Sequence, residues 1–343
     1  EIPVYGMVIG AADFAVETAG QVGGIDVTHW TFVEDSAAGA IAFSRSAEIL
    51  AFYDSLFGPY PYEKLAHVQS ATRFGGMENP GAIFYSQNAI AGATSADAAG
   101  RDVLTSLVAH ETVHQWFGDA VTEADWNHVW LSEGFAEYFD AVFFEFHGGN
   151  QGRGPAELAR QMQTRASAVR ELEAAGPQAI YTPDVGPGEY ARLLDAESYE
   201  KGAWVLHMLR RLMGDEAFFE GVRDYYATLR GGTAWTTDFA RVMEEAAGRP
   251  LGWFFAQWVA RPGMPILTAS VEEGSGGRIL RIEQLQRGEP YRLAVEVELR
   301  ADGGSSRRTV QMDGPVAEVP LDLAGPVEVI IDPAGWLLFE SGP

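Results

Sequence analysis

The stretch HETVHQWFGDAVTEADWNHVWLSEGFAEYF, residues 110–139, carries the most specific pattern in this sequence. His110 and His114 stand four residues apart, a spacing that puts both side chains on one face of an α-helix. Two imidazoles on one face can bind the same metal ion. Glu111 lies one residue further round the helix, where a carboxylate can take a proton from a metal-bound water without being a ligand.

A hydrolytic zinc site usually has a third protein ligand, and the following segment supplies a candidate. Glu133 follows His114 after 18 intervening residues, which is room for a turn, a loop and a second helix that returns against the first. Glu133 and Glu137 fall on the same face of that helix. We expect Glu133 to be the third ligand, Glu137 to orient a histidine, and the cofactor to be one Zn²⁺ ion per chain.

A core helix with satisfied histidines is the alternative interpretation of this stretch. The HExxH pattern arises by chance in a chain of this length on the order of once in a hundred. Glu133, a candidate third ligand on the following helix, makes coincidence rarer still. The pattern therefore predicts a zinc hydrolase.

Composition limits the classes of partner. The chain has 343 residues, of which 47% are hydrophobic, enough for a large core and two structural units. Its net charge of −24 disfavours nucleic acids and anionic lipid surfaces and favours cationic substrates. The sequence contains no cysteine, which excludes a disulfide framework and a thiolate metal site.

Hydropathy gives an expectation about location. The sequence has no run of 18 apolar residues, so no transmembrane helix is expected, and its opening lacks the basic start and apolar segment of a signal peptide. We expect a soluble protein, either cytoplasmic or exported, and leave its oligomeric state open.

The periodicity along the chain predicts an α+β protein. Alternating β-rich runs indicate strands over 3–10, 25–33 and 65–71, and a Gly/Ala-rich stretch over 89–100 indicates a surface loop. After Pro262, short alternating runs separated by turn residues favour a small all-β sandwich. Helical spacing of apolar residues predicts helices from residue 46 to Gly58 and over 101–118, 127–147, 155–173, 198–213, 215–229, 236–247 and 251–260.

Four stretches together resemble one family. HETVHQWFGD…WLSEGFAEYF resembles the signature of the gluzincin aminopeptidases, the family of aminopeptidase N and the leukotriene-forming epoxide hydrolase. RFGGMENPGAIFY, residues 73–85, resembles the Gly-x-Met-Glu-Asn exopeptidase motif of that family. ESYEKGAWVLHMLR, residues 197–210, resembles its Tyr-x-Lys-Gly-Ala segment. WVARPGMPILTASVE, residues 258–272, resembles the junction into its β-sandwich domain.

The resemblance implies roles for individual residues. It makes His110, His114 and Glu133 the zinc ligands, Glu111 the general base and Tyr199 the donor of a hydrogen bond to the oxyanion. It makes Glu78 the group that binds the free α-ammonium of the substrate. The remaining substrate-binding residues of that motif are Gly75, Gly76, Met77 and Asn79. The two glycines leave backbone exposed, where an extended peptide can pair as an added strand.

The resemblance also implies a domain organisation. We expect a thermolysin-like, mainly helical catalytic domain with a small β-sheet lobe over 16–261 and the β-sandwich over 262–343. Residues 1–15 are expected to be the last strand of an upstream β-rich domain, or a replacement for it. Ser132 stands where the family usually has Asn, a difference expected to matter little for zinc.

Three functions compete. The first is a zinc aminopeptidase acting on peptides with a free N-terminus. The second is another zinc hydrolase, either an endopeptidase or an epoxide hydrolase; Glu78 argues against the endopeptidase, because a carboxylate at the amine site penalises an uncharged peptide continuation. The third is a non-catalytic scaffold that keeps the fold, and the presence of every named catalytic residue argues against it.

Overall fold

The structure is a computed structural model of the chain, and it has the mixed α+β composition that the sequence predicts. It describes residues 6–183, 185–186, 188–274, 277–301, 304–323 and 325–343. The α-helices are α1 (Ser36–Ala42), α2 (Ser46–Phe57), α3 (Gln87–Ala91), α4 (Ala98–Val113), α5 (Trp130–His147), α6 (Pro155–Ala175), α7 (Gly202–Met213), α8 (Asp215–Leu229), α9 (Thr236–Ala247) and α10 (Gly252–Trp258). None of these helices is long and apolar enough to cross a membrane.

A five-stranded sheet precedes the long helices, with strand order β1-β2-β3-β5-β4. The pairs β2–β3 and β3–β5 are parallel, whereas the outer pairs β1–β2 and β4–β5 are antiparallel. The strands are β1 (Phe14–Val22), β2 (Ile25–Phe32), β3 (Lys64–Ser70), β4 (Gly76–Met77) and β5 (Ala82–Ser86). The short strand β4 therefore lies at the edge of the sheet, next to the helix that carries the two motif histidines.

The helix α5 forms the centre of the core. Nearly every side chain from Trp130 to Phe144 is buried, because α5 is enclosed by α4, α6 and α7. Its Phe135 and Phe139 pack against Phe117 at ring-centroid distances of 4.6 and 6.3 Å. Aromatic contacts of this kind add to the free energy gained by burying apolar area. Both motif segments are thus fixed by one continuous core.

Two glycines let α5 cross the next segment at backbone contact. A Cβ placed on Gly134 would lie 2.9 Å from the Cα of Gly202, and one placed on Gly202 would lie 3.0 Å from the Cα of Gly134. Gly202 opens α7 and directly follows a π-helical turn over Glu197–Lys201. Single π-helical turns are rare and often occur at functional sites. This crossing carries Tyr199, inside that turn, towards Glu133.

The last part of the chain is made of strands. These strands are β8 (Ile266–Gly274), β9 (Gly277–Gln284), β10 (Leu293–Ala301), β11 (Gly304–Met312), β12 (Val316–Leu321), β13 (Glu328–Ile331) and β14 (Glu340–Ser341). They form a three-stranded sheet in the order β11-β10-β13 and a four-stranded sheet in the order β12-β9-β8-β14. Two short strands from earlier in the chain, β6 (Val121–Glu123) and β7 (Gly232–Ala234), form a separate parallel pair. The boundaries drawn from the sequence after residues 15 and 261 stay predictions.

Two local expectations are wrong. No strand forms over the described part of 3–10: residues 6–13 have no ladder partner among the described residues, and the first described strand begins at Phe14. Residues 1–5 of that stretch lie outside the described residues. The loop predicted over 89–100 is instead largely helical, since α3, a 3-10 turn and the start of α4 occupy it. The Asp97 side chain caps α4 by accepting a hydrogen bond of 2.8 Å from the Gly100 amide.

The glycine crossing yields a prediction about stability. We expect Gly134→Ala to lower the free energy of unfolding by about 1–3 kcal/mol, because the added methyl group meets backbone that cannot turn aside. Gly92→Ala is the matched control: it has a helical backbone with φ −72° and nothing within 4 Å of the added carbon, so its effect should stay within about 0.5 kcal/mol. Urea unfolding measures both. Equal, small effects would contradict the importance of the crossing.

Candidate metal centre and active-site cavity

Three side-chain atoms from two helices converge at one point. His110 lies in the last turn of α4, and His114 is the residue at which that helix ends; its φ of −55° and ψ of −27° keep the four-residue spacing helical. The Nε2 atoms of the two histidines are 3.2 Å apart. Glu133 Oε2, from the first turn of α5, is 3.4 Å from His110 Nε2 and 3.3 Å from His114 Nε2.

This spacing fits a metal ion. Ligand atoms about 2.0–2.1 Å from a tetrahedral zinc lie about 3.3–3.4 Å from one another, close to the distances found here. The donor set of two imidazoles and one carboxylate is also that of catalytic zinc sites with an open fourth position. The three residues form a group that could hold a metal ion, as the sequence predicts.

A buried charge network holds His110 in place. Its Nδ1 atom is 3.4 Å from Glu137 Oε1, which bears out the proximity expected between Glu137 and a histidine. Arg165, from α6, forms ion pairs of 2.7 Å with Glu137 and 2.8 Å with Asp140. Ser106 donates a hydrogen bond of 2.7 Å to the same Asp140 carboxylate. The sequence signal for this network was Arg165, a charged residue among the mostly apolar residues that α6 buries.

Different contacts fix His114. Its Nδ1 atom lies 2.9 Å from the Ser132 hydroxyl and 3.2 Å from the Phe117 carbonyl oxygen. A donor bond from Nδ1 leaves the Nε2 lone pair free for a metal. Gly118, at φ +127°, permits this approach, since a Cβ there would lie 2.4 Å from Ser132 Oγ. Ser132, which was expected to matter little, thus contacts a candidate ligand directly.

The charges of the group are mutually stabilised. Burial disfavours a charged imidazole, yet Glu133 and Glu137 raise the pKa of His110 well above its usual value. In the same way, Glu133 outweighs burial and raises the pKa of His114 to about 9. Burial works against ionised Glu133 too, but the two histidines hold its pKa well below its usual range. Without a metal, the site is therefore an ion-paired cluster that keeps protons on its imidazoles.

Glu111 is buried beside these ligands. Burial raises its pKa to about 7, against the opposing effect of His110 and His114. A carboxylate with a pKa near neutrality suits proton transfer at neutral pH. Gly76 allows this position, because a Cβ on Gly76 would lie 2.2 Å from Glu111 Oε1. The strand β4 thus passes directly over the candidate base.

Tyr199 faces the same group. Its ring is parallel to that of His110 at a centroid distance of 6.2 Å. Burial, followed by the charge of Glu133 and a hydrogen bond with it, raises the pKa of Tyr199, so its hydroxyl keeps its proton. Lys201, fully buried in the same π-helical turn, forms ion pairs of 2.6 Å with Glu173 and 2.8 Å with Glu197. These pairs anchor the turn that presents Tyr199.

A cavity of about 610 Å³ joins these residues to the glycine-rich loop. Gly75, Gly76, Met77 and Glu78 line it, together with the metal-binding group, Glu111 and Tyr199. Asn79 does not line it: its amide donates a hydrogen bond of 3.2 Å to the Gly6 carbonyl oxygen, and it borders a different cavity. The structure thus brings together every predicted site residue except Asn79.

Residues between the two motif helices were missed from the sequence. Gln115 donates a hydrogen bond of 2.7 Å to the Glu78 carbonyl oxygen and accepts one of 2.8 Å from the Gly81 amide, which fastens the loop to the end of α4. Glu123 and Trp126 line the cavity beside Glu78. Burial raises the pKa of Glu123 to about 8. The sequence signal for Glu123 was weak: it is an acid two residues after the apolar Val121, and residues two apart lie on the same face of a strand.

A His-Glu-x-x-His helix joined to a carboxylate from the following helix places the chain among the gluzincin metallopeptidases. Comparison with known families agrees with this class: residues 41–258, more than half of the chain, match the peptidase family M1 domain. The chain belongs to peptidase family M1.

Named relatives cover most of this chain. It is 29% identical over 293 residues to "Probable aminopeptidase 2" of Sulfurisphaera tokodaii, which covers 82% of the chain and 35% of that relative. It is 30% identical over 288 residues to "Aminopeptidase M1-C" of Oryza sativa subsp. japonica, covering 82% of the chain and 31% of the relative. With "Aminopeptidase N" of Lactococcus lactis subsp. lactis, the identity is 30% over 236 residues, or 67% of the chain and 27% of the relative. The chain spans about a third of the length of these curated relatives.

The proton-holding cluster predicts how metal binding depends on pH. Zn²⁺ needs neutral imidazoles, whereas the metal-free site keeps His110 and His114 protonated at neutral pH. Binding should therefore release one to two protons, and affinity should rise about 10- to 100-fold per pH unit below about pH 8. Calorimetry of Zn²⁺ binding in buffers of different ionisation enthalpy counts the released protons. An affinity that does not change with pH would contradict this account of the site.

Proposed function

We propose that the chain is a zinc aminopeptidase that hydrolyses the N-terminal peptide bond of peptides. The observation that carries the proposal is the convergence of His110, His114 and Glu133 within 3.2–3.4 Å of one another, in the cavity that Glu78 also lines. The relatives' names include the word aminopeptidase, which supports the same activity. Zinc at this position would polarise the scissile carbonyl and acidify water.

Two residues act on the reacting atoms. Glu111 takes the proton of the attacking water and delivers it to the leaving amine, a transfer for which a pKa near 7 is well matched. The Tyr199 hydroxyl, which keeps its proton, donates a hydrogen bond to the oxyanion of the tetrahedral intermediate. The bound substrate does not carry this negative charge, which develops in the transition state. The hydrogen bond from Tyr199 therefore lowers the activation barrier rather than tightening substrate binding.

The glycine-rich loop positions the substrate. The strand β4 pairs with β5 on one side and has no second strand partner among the described residues, so an extended peptide can hydrogen bond to its other edge. Glu78 then accepts a hydrogen bond from the substrate's α-ammonium group, and this contact sets cleavage one residue from the N-terminus. An uncharged peptide continuation in its place would leave a buried carboxylate unpaired, which disfavours an endopeptidase.

The proposal extends to the fold and to the competing functions. The helical region with its edge-strand sheet supports a thermolysin-like catalytic domain over 16–261, and the strands from Ile266 onward support a β-sandwich over 262–343. A scaffold without activity is disfavoured, since the buried Glu111 beside a metal-binding group has an evident chemical use as a base.

The proposal is tested with one peptide series, each peptide having a free or an acetylated N-terminus, with and without a zinc chelator. We expect loss of single residues from the free peptides only, abolished by the chelator and detected by mass. Internal cleavage of both forms would establish an endopeptidase instead. No cleavage of either form by zinc-loaded protein would favour the scaffold.

A second test concerns the general base. Glu111→Gln should lower kcat by about a hundredfold or more, because an amide cannot accept the proton, while zinc content stays at one ion per chain. Steady-state kinetics and metal analysis measure the two quantities. Glu220→Gln, at an exposed position on α8, is the control for the lost charge. Full activity in Glu111→Gln would rule out its role.

A third test concerns the amine site. Glu78→Gln keeps the shape of the side chain but loses its charge. We expect kcat/KM on free peptides to fall at least about tenfold, the usual worth of a charge-assisted hydrogen bond, and the preference over acetylated peptides to fall with it. An unchanged preference would place the amine site elsewhere.

A further inference from the structure

We propose that Glu123 selects substrates whose N-terminal residue is lysine or arginine, by binding the cation at the end of that side chain. The proposal rests on the proposed aminopeptidase function and names the substrate class of the same cavity. No role for Glu123 follows from the motifs, since it lies in the spacer between His114 and Glu133.

The first argument is position. Glu123 ends β6, whose pairing with β7 fixes it in the cavity wall beside Glu78. Glu123 and Glu78 line the same cavity as His114 and Glu133. Both carboxylates therefore share one cavity with the metal-binding group. The N-terminal residue of the substrate occupies this cavity if Glu78 holds its α-ammonium.

The second argument is an unpaired oxygen. Glu123 Oε2 is buried and has no hydrogen-bond partner among the described residues, and the hydrogen bond that acts on this carboxylate comes from the backbone of Glu123 itself. Buried carboxylates are normally paired, and leaving an oxygen without a partner is costly. Glu133 Oε2 also lacks a hydrogen bond, but it lies 3.3–3.4 Å from the two motif histidines, and Glu137 forms an ion pair with Arg165. A cation from the substrate would supply the missing partner of Glu123.

The third argument is the count of charges. One α-ammonium satisfies Glu78 and leaves Glu123 unpaired. An N-terminal lysine or arginine brings a second cation at the end of an apolar stem, and so provides a cationic partner for each of the two carboxylates. Trp126 lines the same cavity as Glu123, and its ring stacks on Tyr190 at a centroid distance of 5.8 Å. An aromatic wall leading to a carboxylate suits an apolar stem with a cationic tip.

The overall charge acts in the same direction. With 48 acidic and 24 basic residues, the chain attracts dicationic peptide ends more strongly than monocationic ones. This attraction is weakened by salt, whereas the contact with a buried carboxylate is not. The preference for lysine and arginine should therefore persist at high ionic strength. That persistence distinguishes a contact with Glu123 from long-range attraction by the net negative charge of the chain.

The first experiment measures binding without turnover. L-lysinamide and L-norleucinamide differ only in the terminal ammonium group, and their affinities are compared by calorimetry on zinc-loaded Glu111→Gln protein. We expect lysinamide to bind at least about tenfold more tightly, and the advantage to persist in high salt. Equal affinities would overturn the proposal, and this comparison needs no variant of Glu123.

The second experiment assigns the preference to Glu123. Peptides that begin with Lys, Arg, norleucine or Ala and are otherwise identical are cleaved by the wild type, Glu123→Gln and the control Glu220→Gln. We expect Glu123→Gln to lower kcat/KM at least about tenfold for Lys and Arg and less than about threefold for the others. Glu220→Gln, exposed on α8, should leave all four unchanged.

The remaining outcomes are decisive as well. An equal loss for all four peptides would show that Glu123 contacts the α-ammonium or only supports the fold, and would overturn the proposal. No loss for any peptide would overturn it too. If the wild type cleaves none of the peptides but lysinamide still binds more tightly than norleucinamide, the proposed function fails while the cation site stands. Conversely, cleavage without a basic preference leaves the aminopeptidase in place and removes only this inference.

Discussion

The contact between Gly134 and Gly202 is the constraint on which the rest of the site depends. Both residues bring backbone to a separation that no side chain would allow. Glu133 directly precedes the first glycine, and Tyr199 stands three residues before the second. One close crossing therefore sets the distance between the carboxylate of the metal-binding group and the phenol opposite it. Because backbone rather than flexible side chains makes the contact, that distance is fixed before any ligand arrives.

This arrangement buries charged side chains, which costs free energy. Ion pairs with Arg165 and Lys201 offset that cost. Arg165 from α6 pairs with the carboxylates behind His110, and Lys201 pairs with two acids around the π-helical turn. Removing one partner of such a pair leaves an uncompensated buried charge. The candidate metal-binding group is different, because its charges face a cavity, where a metal ion could replace the protons of the imidazoles.

The cavity contains two carboxyl groups besides those of the zinc motif. Glu78 reaches it from the loop after β4 and Glu123 from the spacer between the motif helices, so two independent segments bring a carboxyl group to one cavity. Ionising these buried groups is unfavourable while the cavity is empty and becomes favourable when cations occupy it. The proposed selection of charged peptide ends rests on the cost of leaving these carboxylates buried without partners, rather than on shape alone.

The local spacing within 110–139 was enough to predict the two motif helices, because on a helix of fixed pitch His110 and His114 can only share one face. The alternating pattern after Pro262 was likewise enough to predict strands. Where Glu133 lies relative to the histidines, and which distant segments complete the site, depends on how the helices pack. Tyr199 and Glu78 were expected from the resemblance alone. Asn79 donates a hydrogen bond to Gly6 instead of lining the cavity. Residue spacing does not predict the contact of Ser132 with His114 or the unpaired oxygen of Glu123. The physical reason is that side chains far apart in the chain meet through packing, and packing depends on all elements together.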